Sequence, residues 1–148
     1  MHKVLILGAG KIGSLISGLL AETGDYEVHV ADVNGEVARA VVAAHGLDNL
    51  HAHGFDAGNP AALAAHLKAH PVDAVVSSLP YYCNVVVAEA ARAAGIHYFD
   101  LTEDVAVTRA VRKLADGADT AFVPQCGLAP GFISIAANAL IGHFDELR

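Results

Sequence analysis

Near the start of the chain the residues Gly8-Ala9-Gly10-Lys11-Ile12-Gly13 place glycine in the spacing GxGxxG. Alone, that spacing is common in chains rich in glycine and alanine. Its surroundings give it meaning. An apolar run, Val4 to Leu7, enters it, helical spacing from Ile12 to Glu22 leaves it, and an acid, Asp32, follows about 20 residues later. In a strand–turn–helix each glycine has a task. Gly8 permits the tight turn, Gly10 lacks the Cβ that would block a pyrophosphate, and Gly13 lets the helix pack closely on the strand. The helix start, at Lys11 and Ile12, offers free N–H groups and a partial positive charge to an anion. The segment therefore predicts a dinucleotide-binding turn.

Asp32 is placed to accept hydrogen bonds from the adenosine ribose hydroxyls. A 2′-phosphate would meet its negative charge, and Val33-Asn34-Gly35 supplies no arginine to compensate, so NAD is expected over NADP. Capping of the next helix by Asp32 is compatible with that role. Asp56 follows the third expected strand and is either an adenine contact or the cap of a helix beginning near Asn59. Ser78, Leu79 and Pro80 follow the fourth strand, across the switch point from the first, where ligands of open parallel sheets bind. They are expected to line the cofactor; an ordinary strand-to-helix loop is the alternative.

Asp100 ends the fifth strand at the same edge. A carboxylate there could hold a substrate ammonium or accept a proton, or else cap a helix. Cys126, with no flanking base, reads as an inert small residue at a strand end. Tyr81 and Tyr82 could stack on a nicotinamide or pack in the core. Of the nine histidines, His51 and His53 share a strand face, and His66 and His70 lie four apart near a helix end. Neither pair has a third ligand placed by spacing, so no metal site is expected and solvated surface histidines are.

The elements that must position these residues alternate. Strands are expected at Val4–Leu7, Glu27–Ala31, Leu50–His53, Ala74–Ser77, Ile96–Asp100 and Thr120–Val123. Helices are expected at Ile12–Glu22, Gly35–His45, Asn59–Lys68, Asn84–Ala94, Glu103–Ala115 and Phe132–Leu140. Short connections between them specify an α/β fold: a doubly wound parallel sheet of about six strands, helices on both faces, with strand order 3-2-1-4-5-6. Residues 1–125 form the dinucleotide-binding domain. Residues 126–148 read as a connector and helix leading toward a substrate domain that the chain lacks.

Composition agrees. The chain is 54% hydrophobic and 17% charged, as suits strands buried on both faces. Its formal charge of −7 and its lack of a Lys/Arg cluster argue against nucleic acid and anionic membranes as partners. Two distant cysteines suggest no disulfide framework. Without a signal-peptide pattern or 18 consecutive apolar residues, a cytoplasmic protein is expected.

The second half carries a family resemblance. Ser78-Leu79-Pro80-Tyr81-Tyr82-Cys83-Asn84, Gly95-Ile96-His97-Tyr98-Phe99-Asp100-Leu101-Thr102 and above all Cys126-Gly127-Leu128-Ala129-Pro130-Gly131-Phe132 join the generic Val4-to-Gly10 start. Together they resemble the N-terminal Rossmann domain of the saccharopine dehydrogenase and lysine dehydrogenase family, over essentially the whole chain. The resemblance implies hydride transfer between NAD or NADP and a C–N bond of a lysine-like amino acid. It also implies that Ser78, Asp100 and Cys126 lie at the substrate end of the cofactor, Asp100 and Cys126 as the catalytic candidates. Ala129 departs from the family, many of whose members carry Asp there, which puts the substrate in question. A second domain, expected to supply most substrate contacts, is absent, so cofactor binding without useful turnover is expected. Self-association as a homodimer through the uncovered last helix is a further expectation. The competing readings are a regulatory NAD-sensing module, like the ligand-gating domains of potassium transporters, and an inactive NAD-binding domain acting in assembly.

Overall fold

Strand β1 (His2–Leu7) lies at the centre of a sheet, and its side chains divide between two cores. Val4 and Ile6 face one layer with Val28, Val30 and Leu50, whereas Leu5 and Leu7 face the other with Val75 and Tyr98. A strand buried on both faces has no polar alternation, which is why its sequence reads as one apolar run. Around β1 the chain forms β2 (Tyr26–Asp32), β3 (Leu50–Gly54), β4 (Ala74–Ser77), β5 (His97–Asp100) and β6 (Phe122–Val123). All five pairings are parallel, in the order β3-β2-β1-β4-β5-β6, as the sequence predicts. The computed structural model describes residues 1–144.

Helices α1 (Lys11–Glu22) and α2 (Gly35–His45) cover one face, through Ala21, Ala38 and Val41. The other face carries α3 (Pro60–Ala69), α4 (Asn84–Ala94) and α5 (Val105–Ala115), through Leu63, Leu67, Val87, Ala91 and Val111. The element ends follow local chemistry. Asn34, Asn59 and Asp104 each cap the following helix with a side-chain oxygen. Gly46 and Gly95 close α2 and α4 in the left-handed conformation, at φ 63° and 66°.

Three expected elements are shorter than predicted. Strand β5 starts at His97 rather than Ile96. Helix α5 starts at Val105 rather than Glu103, because Asp104 is its cap. Strand β6 reaches only Phe122–Val123, being an edge strand paired on one side. A single 3-10 turn, Tyr81–Cys83, precedes α4 and has no signal in the sequence beyond Pro80.

The last helix, α6 (Phe132–Ile141), buries none of its residues, and Phe132, Ile133, Ile135 and Leu140 stand exposed. Residues 145–148 of the expected connector lie outside the described residues. Among the described residues no helix is long and apolar enough to cross a membrane.

Candidate functional site

The carboxyl ends of β1, β2 and β4 meet at the turn Gly8 to Gly13. Gly8 has φ 94°, in the left-handed region, and its N–H donates to the Ala31 carbonyl at 2.8 Å. A Cβ on Gly8 would press on Ser78 Oγ at 2.9 Å. One on Gly13 would overlap the Gly8 carbonyl oxygen, so both glycines are fixed by close approach. Gly10 differs: a Cβ there would have nothing within 4 Å. The backbone at Gly10 is bare toward open space, beside the first turn of α1.

That turn, like those of α4 and α6, has no side-chain cap and no acid in it, whereas α2, α3 and α5 are capped by the side chain of the residue before them. The first N–H groups of α1 are left for a ligand, and the helix dipole favours an anion there. Lys11 and Ile12 are exposed at this helix start and Gly13 is buried behind it.

Asp32, half-buried, closes β2. Its Oδ2 accepts the Ala9 N–H at 2.9 Å and its Oδ1 the Asn34 N–H at 3.0 Å. The cap of α2 is Asn34, so Asp32 is free of that duty. A carboxylate has about four lone-pair positions, and two remain for ribose hydroxyls. A cleft of about 330 Å³ opens beside it, lined by Asp32, Val33, Phe55, Asp56, Leu79 and Pro80, among others. Asp56 is not a helix cap either. Its Oδ1 accepts the Gly58 N–H at 2.9 Å while Asn59 caps α3. Ser78 braces the turn from below, with its hydroxyl 3.0 Å from the carbonyl oxygens of both Leu7 and Gly8.

The β5 end is built differently. Asp100 is fully buried, and the Tyr98 hydroxyl donates to its Oδ2 at 2.6 Å. Its Oδ1 accepts the N–H of Thr102 at 2.9 Å and that of Gln125 at 3.1 Å, and its carbonyl accepts the Cys126 N–H at 2.8 Å. Asp104, not Asp100, caps α5. Asp100 therefore pins the connector after β6 to the end of β5, at a point where Gln125 holds a positive φ of 67°. Burial, and then the Asp100 carboxylate, push the Tyr98 phenol far above its ordinary pKa, which keeps it a neutral donor.

Cys126 is exposed and its thiol approaches the Val123 carbonyl at 3.2 Å. Burial of its sulfur and the nearby Asp100 charge raise its pKa, against a thiolate nucleophile. Tyr81 and Tyr82 are both exposed, their rings 5.8 Å apart edge to face, so neither is a core residue. Tyr81 also lines a larger, open cleft of about 740 Å³ with Leu101, Thr102, Leu128 and Ala129. Gly8, Gly10, Asp32 and Ser78 thus come together with the nearby cleft, while Asp100 lies on β5, two strands from β1 but beside Ser77 of β4, with Cys126 held at its carbonyl.

The expectation of solvated histidines holds for His70, which is exposed, and fails for His53 and His66. His29 on β2 is buried, and His53 and His66 are half-buried rather than solvated. Strand register brings β3 beside β2, and α3 lies over both, so His53, His66 and His70 gather with ligand atoms within 4.8 Å of one another. The two pairs are visible in the sequence; their meeting depends on the crossover of α3, which spacing does not encode.

A family model described as the NADP binding domain of saccharopine dehydrogenase matches residues 4–123. Among solved structures, the chain is similar to the apo, L-Glu-forming saccharopine dehydrogenase of Saccharomyces cerevisiae, with 24% identity and a TM-score of 0.82. That match covers 97% of this chain and 31% of the yeast protein. A putative myo-inositol dehydrogenase from Sinorhizobium meliloti matches with 23% identity and a TM-score of 0.70, over 99% of this chain and 43% of the other. Prephenate dehydrogenase of A. aeolicus, solved with hydroxyphenyl propionate and NAD+, matches with 18% identity and a TM-score of 0.62, over 84% and 41%. The chain therefore spans less than half the length of each of these proteins, and the likeness is one of fold.

Proposed function

Since the chain belongs to the saccharopine dehydrogenase NADP-binding domain family and forms an NAD(P)-binding Rossmann domain, we propose that it is the cofactor half of an NAD-dependent oxidoreductase acting on an amino-acid C–N bond. The observation that carries the cofactor assignment is the bare backbone at Gly10 beside the uncapped start of α1, with Asp32 across the turn. These groups suit a pyrophosphate and a ribose, and among the described residues no other turn at this sheet edge combines them. When bound, the nicotinamide accepts or gives the hydride.

In this reading the N–H groups of Lys11, Ile12 and Gly13 hold the pyrophosphate. Asp32 takes the ribose hydroxyls with its spare lone pairs. Phe55, Asp56 and Leu79 border the adenosine, and Val33 and Pro80 shape the cleft mouth. Asp32 also repels a 2′-phosphate, which favours NAD, even though the family description names NADP. Ser78, bonded to the Leu7 and Gly8 carbonyl oxygens, fixes the turn that would hold the cofactor. Asp100 acts as a positioning residue for the connector, because both its oxygens are engaged and buried. Cys126 stands as a neutral neighbour of the substrate.

The C–N bond as reacting group rests on the family relationship and on the resemblance of the segments around Ser78, Asp100 and Cys126. The sensing-module alternative rests on the first half alone, whereas the family match runs to residue 123. The exposed apolar side chains of α6 fit burial by the remaining half of a longer protein, or by a second copy of the chain. Substrate alignment would come from that remaining half, so the chain by itself should bind cofactor without turnover.

Calorimetric titration with NAD and with NADP tests the reading. NAD should bind the better, and Asp32→Asn should weaken NAD by roughly ten- to a hundredfold, through lost charge-assisted hydrogen bonds, while narrowing the gap to NADP. Equal affinity for both nucleotides in the unaltered chain would remove the NAD assignment. Failure of a folded chain to bind either would remove the cofactor site.

A further inference from the structure

A second cluster of chemistry-bearing groups lies beyond the cofactor cleft, between the β2–β3 edge of the sheet and α3. His66 and His70, one helical turn apart, point toward His53 of β3, and one ligand nitrogen from each lies within 4.8 Å of the others. Nε2 of His66 is buried without a hydrogen-bond partner, and an unpaired polar atom in such a place is costly unless something binds it. Stacking against Phe55, with centroids 4.3 Å apart, fixes the His66 ring plane. His29 backs the group: its Nδ1 lies 2.9 Å from Nε2 of His53, and its Nε2 lies 3.2 Å from Oε1 of Glu27.

We propose that His53, His66 and His70 form a site for a zinc-class divalent transition metal, supported from behind by His29 and Glu27. Three imidazoles with a free fourth position suit zinc, cobalt, nickel and copper, whereas calcium and magnesium require oxygen ligands. Metal–nitrogen bonds of about 2.0–2.1 Å would draw the three nitrogens to roughly 3.3 Å apart, an adjustment that the exposed His70 can make by side-chain rotation. Burial first, then the neighbouring histidines, hold His53 and His66 at a pKa of about 4. At neutral pH both are in the unprotonated form that a metal needs, and no proton must be displaced from them.

His29, bonded to His53, is the group that orients a ligand ring from behind, with Glu27 beyond it at ion-pair distance but without hydrogen-bond geometry to His29 Nε2. Around it stand His51, 3.9 Å from Glu27 Oε1, and Lys3, 3.3 Å from the same atom. A metal here would tie α3 to edge strand β3, a structural clamp independent of nucleotide.

The test is titration of the untagged full chain with Zn2+ and Co2+, without nucleotide, after chelator treatment. One equivalent should bind with the intense visible absorption of low-coordinate Co2+. A hundredfold excess of Zn2+ over its Kd should raise the unfolding midpoint by roughly 5–10 °C. His66→Ala and His70→Ala should each weaken binding at least tenfold, while His143→Gln should leave it unchanged. His70 is exposed, so its variant should remain folded even if that of His66 does not. Failure of the unaltered chain to bind in the micromolar range, or equal affinity in the folded His70→Ala chain, would overturn the proposal. Because no nucleotide is present, neither result bears on the cofactor reading.

Discussion

Asp32 and Asp100 close two strands of one sheet in nearly the same way. Each accepts the N–H of the residue two positions later, Asn34 at 3.0 Å and Thr102 at 2.9 Å. Each also accepts an amide from a neighbouring connection, that of Ala9 at 2.9 Å and that of Gln125 at 3.1 Å. They part at the next contact. Asp100 takes the Tyr98 hydroxyl as well and is sealed from solvent, while Asp32 stays half-exposed at the wall of a cleft. The same residue type at equivalent places thus serves two ends. Where hydrogen-bonding capacity stays open to a cleft, the group can meet a ligand; where the group is buried and three of its four positions are taken, it holds the framework.

The largest effect that could break this contrast lies at the glycines. Gly13→Ala puts a Cβ into the Gly8 carbonyl, a clash with backbone that no rotamer relieves. It should cost on the order of 3 kcal/mol or more and abolish nucleotide binding. Gly10→Ala, with open space around its Cβ and an ordinary φ of −68°, should leave stability within about 0.5 kcal/mol. Its NAD affinity should nonetheless fall at least tenfold, because the methyl occupies the approach of the pyrophosphate. Thermal melts and calorimetry on the two variants separate framework from binding. Normal NAD affinity in Gly10→Ala would show that the open space is not the phosphate site.

Next in size is the pin at β5. Asp100→Ala strips buried partners from the Tyr98 hydroxyl and two backbone N–H groups. A loss of about 2–4 kcal/mol follows, with the connector from Gln125 onward becoming the first segment cut by limited proteolysis. Cys126→Ala removes one exposed thiol contact and should change stability by less than about 1 kcal/mol. A mild Asp100→Ala variant would return that carboxylate to the groups free to act on a substrate.

Much of the fold is legible in the order of residues along the chain. Buried parallel strands must be short apolar runs, and helix ends at Asn59-Pro60, Gly46 and Gly95 carry their own chemistry. The GxGxxG turn is legible because each glycine answers a local steric demand. What is not legible depends on distant partners. Nothing in the sequence near Asp100 announces that Tyr98 and Gln125 will use its oxygens. The choice of Asp104 over Glu103 as the start of α5 turns on the Val107 N–H, which Asp104 Oδ1 reaches at 2.8 Å. His53 and His66 read as members of separate pairs because their meeting follows from strand register and the path of α3.

The histidine cluster sharpens the contrast most delicately, since it holds unused capacity inside a packed layer. His29, His53 and His66 all have lowered pKa values, chiefly through burial, with neighbouring histidines adding to it. A histidine whose folded pKa lies below its unfolded value contributes stability above the unfolded pKa, near 6.5, and loses it as pH falls toward the folded one. The metal-free chain should therefore weaken between about pH 6.5 and 4, on the order of 1–3 kcal/mol after allowance for coupling and solvent screening. Denaturant melts across that range should show the slope, and the double variant His53→Gln with His66→Gln should flatten it. An unchanged slope in the double variant would move the acid sensitivity to other groups. The cluster would then count as framework already satisfied, on the Asp100 side of the comparison.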